Sequence, residues 1–180
     1  MKFFAILVSV AAIAVAIPLK RTVAQVETDL RNIGTQVTNL DNSINAFPNS
    51  GGSLTAALAI HTDAQNLVSS VNTANIDVQD MTDVSESDGR TILGIVNGFE
   101  PTIIDALNAI VAKKPAFDAL PLGGVSALVK QDLAQLATAT EALENSLINE
   151  APADLKPQAQ DIQSAVNAAF ANAQAAYASA

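Results

Sequence analysis

His61 is the one histidine in this sequence, and there is no cysteine. A lone His cannot form a His-pair metal site, and without Cys there is no thiolate nucleophile, zinc ribbon or disulfide framework. No G-x-S-x-G elbow, phosphate loop or H-E-x-x-H motif occurs. Asp77, Asp80 and Asp83 are spaced by three, whereas a calcium loop alternates its ligands and closes on a Glu. They read as solvated acids preceding a helix. Glu141 and Glu144 read as a solvated pair on a polar helix face, and two carboxylates alone do not make a glycosidase. His61 falls at the edge of an apolar arc, where it reads as a boundary side chain or a polar contact at a pocket mouth. The expectation is a protein that is not an enzyme, with no catalytic residue, no metal ligands and no cofactor.

The elements that position these residues are written in hydrophobic spacing. From Val23, apolar residues fall at 23, 26, 30, 33, 37, 40, 44 and 47, alternating steps of three and four. That is one stripe along a helix of about seven turns. Pro48 to Gly52 stops it, and Ser53 can cap the next. A second stripe runs 57, 60, 64, 67, 71, 74, 78, 81. Ser85 then caps a third, with Glu86 and Asp88 suited to the positive helix start. The third stripe is Ile92, Val96, Phe99, Ile103, Leu107 and Ile110. It continues across Pro101, which predicts a kink rather than an end. Lys113 and Lys114 fall in the last turn, and Pro115 is expected to close the helix. Residues 115–124 are apolar for a loop, so Phe117 and Leu120 should fold back onto one end. The fourth stripe is Val125, Val129, Leu133, Leu136, Thr140, Leu143 and Leu147. The fifth is Leu155, Ala159, Ile162, Val166, Phe170, Ala173 and Tyr177, with Pro157 in its first turn. Short connections predict an all-α fold, an up-and-down antiparallel bundle of about five long helices.

The chain has 180 residues, 34 of them Ala, with 49% hydrophobic and only 4% aromatic residues. A net charge of −9 excludes a nucleic-acid partner, since nothing neutralises a row of phosphates. Residues 1–16 read as a signal peptide: Lys2, an apolar run from Phe3 to Val15, and the A-x-A site Ala14-Val15-Ala16. The run is too short for a transmembrane anchor. Residues 17–21 read as a propeptide ending in the dibasic Lys20-Arg21, leaving 22–180 as the mature domain. Removing Lys2 takes the net charge to −10, and removing Lys20 and Arg21 as well takes it to −12. The expected product is secreted, acidic and without an N-glycosylation sequon.

Five long helices lined by Ala, Leu, Ile and Val have few large side chains to fill their centre. After Arg21 there are four Phe: Phe47, Phe99, Phe117 and Phe170. Either the helices close up through Ala, or a lengthwise apolar channel remains. A helix of about 24 residues is roughly 36 Å long, enough for a fatty acyl chain. The expected channel walls are Phe47, Leu58, Leu67, Phe99, Ile103, Leu107, Leu133, Leu136, Leu143 and Phe170. No Arg or Lys falls in a stripe. The head group would then sit at a mouth, solvated or held by Thr140 or His61.

The stretch Ile92-Leu93-Gly94-Ile95-Val96 through Glu100-Pro101, then Leu107 and Ala112-Lys113-Lys114-Pro115-Ala116-Phe117, resembles the fungal hydrophobic surface binding protein A family, also called cell wall galactomannoprotein. The Ala151-Pro152 turn and the Ala-rich last helix match as well. The resemblance covers residues 20–180. It implies a secreted or wall-associated protein that adsorbs to hydrophobic surfaces, with some members resembling fatty-acid carriers and some recruiting hydrolases to hydrophobic solids. Ser/Thr-rich tail and GPI signal are missing from this sequence, which argues against permanent wall attachment. Three functions fit: a binder of hydrophobic surfaces or long-chain lipids, a structural or antigenic wall component without ligand, and a recruiter or inhibitor of a secreted hydrolase.

Overall fold

The structure, a computed structural model, describes residues 22–81, 83–121 and 124–180. The expected leader, residues 1–16, and the dibasic segment lie outside the described residues. Five helices follow in order: α1 Val23–Ala46, α2 Leu54–Gln79, α3 Glu86–Asp118, α4 Val125–Glu150 and α5 Lys156–Ala176. Each start has a local cause. The hydroxyls of Thr22, Ser53 and Ser85 accept from the backbone N–H of Gln25, Ala56 and Asp88 at 3.2, 3.1 and 3.1 Å, satisfying donors that a first turn leaves free. At the head of α4, Gly124 takes φ = 98°, a conformation that disfavours any side chain.

Consecutive helices run in opposite directions, but they do not pack in sequence order. Hydrogen bonds join Gln36 to Ser70 and Ser43 to Asp63, so α1 and α2 are antiparallel neighbours. Gln163 to Asn145 and Lys130 to Ala178 place α4 and α5 in the same relation. By contrast, His61 pairs with Asp132 and Ser146 with Asn75, so both numbers rise together and α2 and α4 are parallel. Lys113 bonding Asn49, and Tyr177 bonding Ile110, set α3 parallel to α1 and to α5. The result is two layers. One holds α1, α3 and α5 with α3 in the middle; the other holds α2 and α4; and α3 touches α4 only lightly.

One end of the bundle is closed by aromatic side chains from the last turns of the three-helix layer. Phe47 and Phe117 are each 2% exposed, with ring centroids 4.6 Å apart, and Tyr177 is fully buried. The Tyr177 hydroxyl donates to the Ile110 carbonyl at 2.8 Å, which meets the need of a buried polar group. Burial, and the Asp118 carboxylate nearby, push its ionisation upward. Gly52 backs this plug, since a methyl group there would run into the Phe47 ring. Leu120 is buried beside it.

The sequence placed a helix end at Pro115, but α3 runs on to Asp118. Proline's fixed φ is helical, so it costs one hydrogen bond rather than the helix. The extra turn is held by burial of Ala116 and Phe117 and by the Lys114–Asp118 pair at 2.6 Å. Lys113 serves the loop instead of its own helix end, donating to Asn49 Oδ1 at 2.9 Å and to the Phe47 carbonyl. Asp77 is likewise no solvated acid before a helix: it lies inside α2 and is buried.

Candidate lipid-binding channel

The layers do not close completely. Three apolar cavities of about 50, 90 and 50 Å³ lie end to end between them. The first is lined at one end of the bundle by Met81, Val84, Ala151 and Leu155. It shares Val96, Glu144, Leu147 and Ile162 with the second, which is walled by α1, α2, α3, α4 and α5. The second shares Leu40, Ala106 and Leu107 with the third, which ends at Ile44, Ile60, Ile110 and Val129 on the side of the aromatic plug. From Ile92 to Ile110 the line spans about 27 Å along α3, the reach of a long acyl chain.

Eight of the twelve residues singled out from the sequence line these cavities: Leu67, Phe99, Ile103, Leu107, Thr140 and Leu143 around the second or its junction, and Leu133 and Leu136 around the third. The other four lie elsewhere. Phe47 belongs to the plug. Phe170 is buried but lines none of the three. Leu58 is 44% exposed, because the α2 stripe centres on Ala57, Ile60 and Ala64 and the next residue turns about 100° away. His61 lines no cavity. Its Nδ1 lies 2.9 Å from both Asp132 oxygens, and Gln65 donates to the same carboxylate at 2.7 Å, so the group braces α2 against α4.

Sequence reasoning missed Glu144. It is not a solvated partner of Glu141 but half-buried, at the junction of the first two cavities. The signal was its spacing: it follows Thr140 by four and precedes Leu147 by three, so it shares their face. Burial, reinforced by the Glu141 charge and opposed by a hydrogen bond from Gln163, raises its pKa to about 8. The folded chain therefore holds that proton more tightly than the unfolded one. Stability attributable to Glu144 is full below about 4.5 and falls as pH rises to about 8. Glu100 lines the second cavity from α3, and among the described residues no Lys or Arg lines any of the three.

Cavities of this size each take only a few water-sized groups, so a long chain requires the layers to part. The middle of α3 is the part of that helix least covered by its neighbours. From Leu93 to Asp105 none of its residues is fully buried. This stretch carries Gly94 and Gly98, where a methyl group would meet open space, and Pro101, which lacks the N–H for the carbonyl one turn back. The helix is continuous through Pro101. Replacing Gly94 and Gly98 by Ala is expected to stabilise the fold by about 1 kcal/mol each, the helix-interior difference between the two residues. It should also slow lipid uptake in stopped-flow fluorescence. Lower stability in urea unfolding would mean that these glycines are needed for packing.

An all-helical bundle with a lengthwise, mostly apolar cavity, few polar groups along it and no cation in its walls among the described residues is the architecture of a binding protein for elongated apolar ligands. The comparisons give the family. A model described as hydrophobic surface binding protein A matches residues 23–149, and the chain belongs to that family. The structure of Afmp4p in complex with palmitic acid is 32% identical in sequence, with a TM-score of 0.80 over 87% of this chain and 99% of that one. Ligand binding domain 1 of the Penicillium marneffei MP1 protein, complexed with arachidonic acids, has 22% identity and a TM-score of 0.77 over 88% and 99%. Domain 2 of the same protein, also with arachidonic acids, has 17% and 0.78 over 90% and 98%. At those identities the two domains speak for the fold alone. No curated protein matches the sequence.

Proposed function

We propose that the protein binds a long-chain fatty acid or similar amphiphile lengthwise between its two helical layers, as a secreted, non-enzymatic carrier. The observation that carries this reading is the continuous line of three apolar cavities along α3. The palmitic acid in Afmp4p supports it, and the leader-like residues 1–16 support export. Each buried methylene contributes about 0.8 kcal/mol. About fifteen give roughly 12 kcal/mol gross, and lost rigid-body freedom removes several. The balance corresponds to micromolar dissociation constants. Titration with saturated fatty acids and their alcohols from ten to eighteen carbons should show affinity rising with chain length. Equal, negligible affinity across the series would end the carrier reading.

Adsorption to a hydrophobic surface is supported by a separate observation. Over eighteen residues α3 is apolar enough to pass for a membrane span by composition, yet only 17% of that stretch is buried. Its half-exposed middle would lie against a hydrophobic solid while its inner side roofs the channel.

A further inference from the structure

We propose that the Glu144 carboxyl is the hydrogen-bond partner of the bound amphiphile's polar head, and that the channel therefore selects heads that are neutral and hydrogen-bonding, the undissociated acid or the alcohol. This rests on the carrier reading and gives it a head-group site. Glu144 stands at the junction of two cavities, so a head placed there leaves an apolar path on either side. Its Oε2 is shut off from solvent and has no hydrogen-bond partner among the described residues, a costly state for a buried polar atom unless a ligand supplies one. Thr140, one turn earlier on α4, lines the same cavity.

The surroundings fix which heads fit. Glu100 faces the cavity from α3, and Glu141 adds negative charge from the same helix as Glu144. Gln163 on α5 is neutral, and α1 and α2 present only apolar side chains to the second cavity. With acids on two helices and no cation, an ionised carboxylate is repelled. A protonated Glu144 carboxyl can donate to an alcohol oxygen, or exchange paired hydrogen bonds with an undissociated acid. Burial holds the carboxyl in that form to about pH 8. The head thus lies within the channel, one turn beyond Thr140, rather than at a solvated mouth.

Hexadecan-1-ol is the decisive probe, because it carries no titratable group and any pH dependence belongs to the protein. An alcohol O–H can also donate to an ionised carboxylate, but a bound chain strips the water that the ionised form needs, and desolvation is the larger effect at Glu144. Hexadecanol affinity for the wild-type chain should therefore fall at least tenfold between pH 6 and pH 9.5. Glu144→Gln keeps a neutral donor and should hold its affinity within about threefold over that range. Glu141→Gln should retain the wild-type fall. In carbon-13 NMR, saturating hexadecanol should raise the ionisation midpoint of Glu144, since ligand and proton favour each other reciprocally. A flat wild-type profile, an equal fall in Glu144→Gln, or an unmoved Glu144 midpoint with hexadecanol bound would overturn the proposal and leave the carrier reading standing. Failure of every sixteen-carbon ligand to bind at either pH would overturn both.

Discussion

Replacing Phe117 by alanine is expected to cost about 3–5 kcal/mol of folding free energy, the range for removing a phenyl ring from a tight core. The ring is 2% exposed and packs on Phe47 at 4.6 Å, and that aromatic contact adds to the area buried. The end cannot collapse easily around the gap. Lys113 ties the Phe47 carbonyl and Asn49 to α3, and Tyr177 is pinned through Ile110. A loss of that size is a large fraction of the stability of a domain this long. Phe99→Ala gives the contrast, because Phe99 is only half-buried on the cavity wall and should cost far less. Urea unfolding of the two variants measures both. A Phe117→Ala effect below about 1 kcal/mol would mean that the plug is loose.

Ala106→Phe should be the most damaging single change for binding. Ala106 stands where the second and third cavities join, opposite Leu40. A phenyl group there fills the junction and divides the channel. A sixteen-carbon chain would lose burial of about four methylenes, roughly 3 kcal/mol, or about a hundredfold in affinity. A ten-carbon chain, short enough for one side, should lose much less. Overpacking costs about 1–3 kcal/mol of stability, so circular dichroism must first show that the helices persist. Ala106→Leu is the milder companion. Unchanged dependence on chain length in both variants would show that acyl chains do not pass this point.

The sequence carried the α1 stripe almost completely: Val26, Leu30, Ile33, Val37, Leu40, Ile44 and Phe47 are all buried. One period and a clean polar face leave a helix no other way to pack. The α3 stripe was read with the same rule and behaves differently, with Val96, Phe99 and Ile103 only half-buried. Periodicity says which face turns inward, not whether a neighbour meets it there. That depends on packing order, and here α3 lies over the gap between α2 and α4. The same limit explains Phe47 and Phe170. Their stripe positions marked them as walls, whereas Phe47 lies far enough along the bundle to close the channel and Phe170 is buried away from it. Glu144 was lost for another reason. It was weighed as the partner of Glu141, when its place was one turn beyond Thr140.

The unfilled space between the layers also has a mechanical consequence. Hydrostatic pressure favours whichever state occupies less volume, and unfolding abolishes internal voids. A bundle that keeps three hollows in a row is compressible along its seam and resists squeezing poorly for its size. An acyl chain threaded through them replaces emptiness with methylenes. Occupancy should therefore be written in the partial volume of the protein as much as in its heat stability.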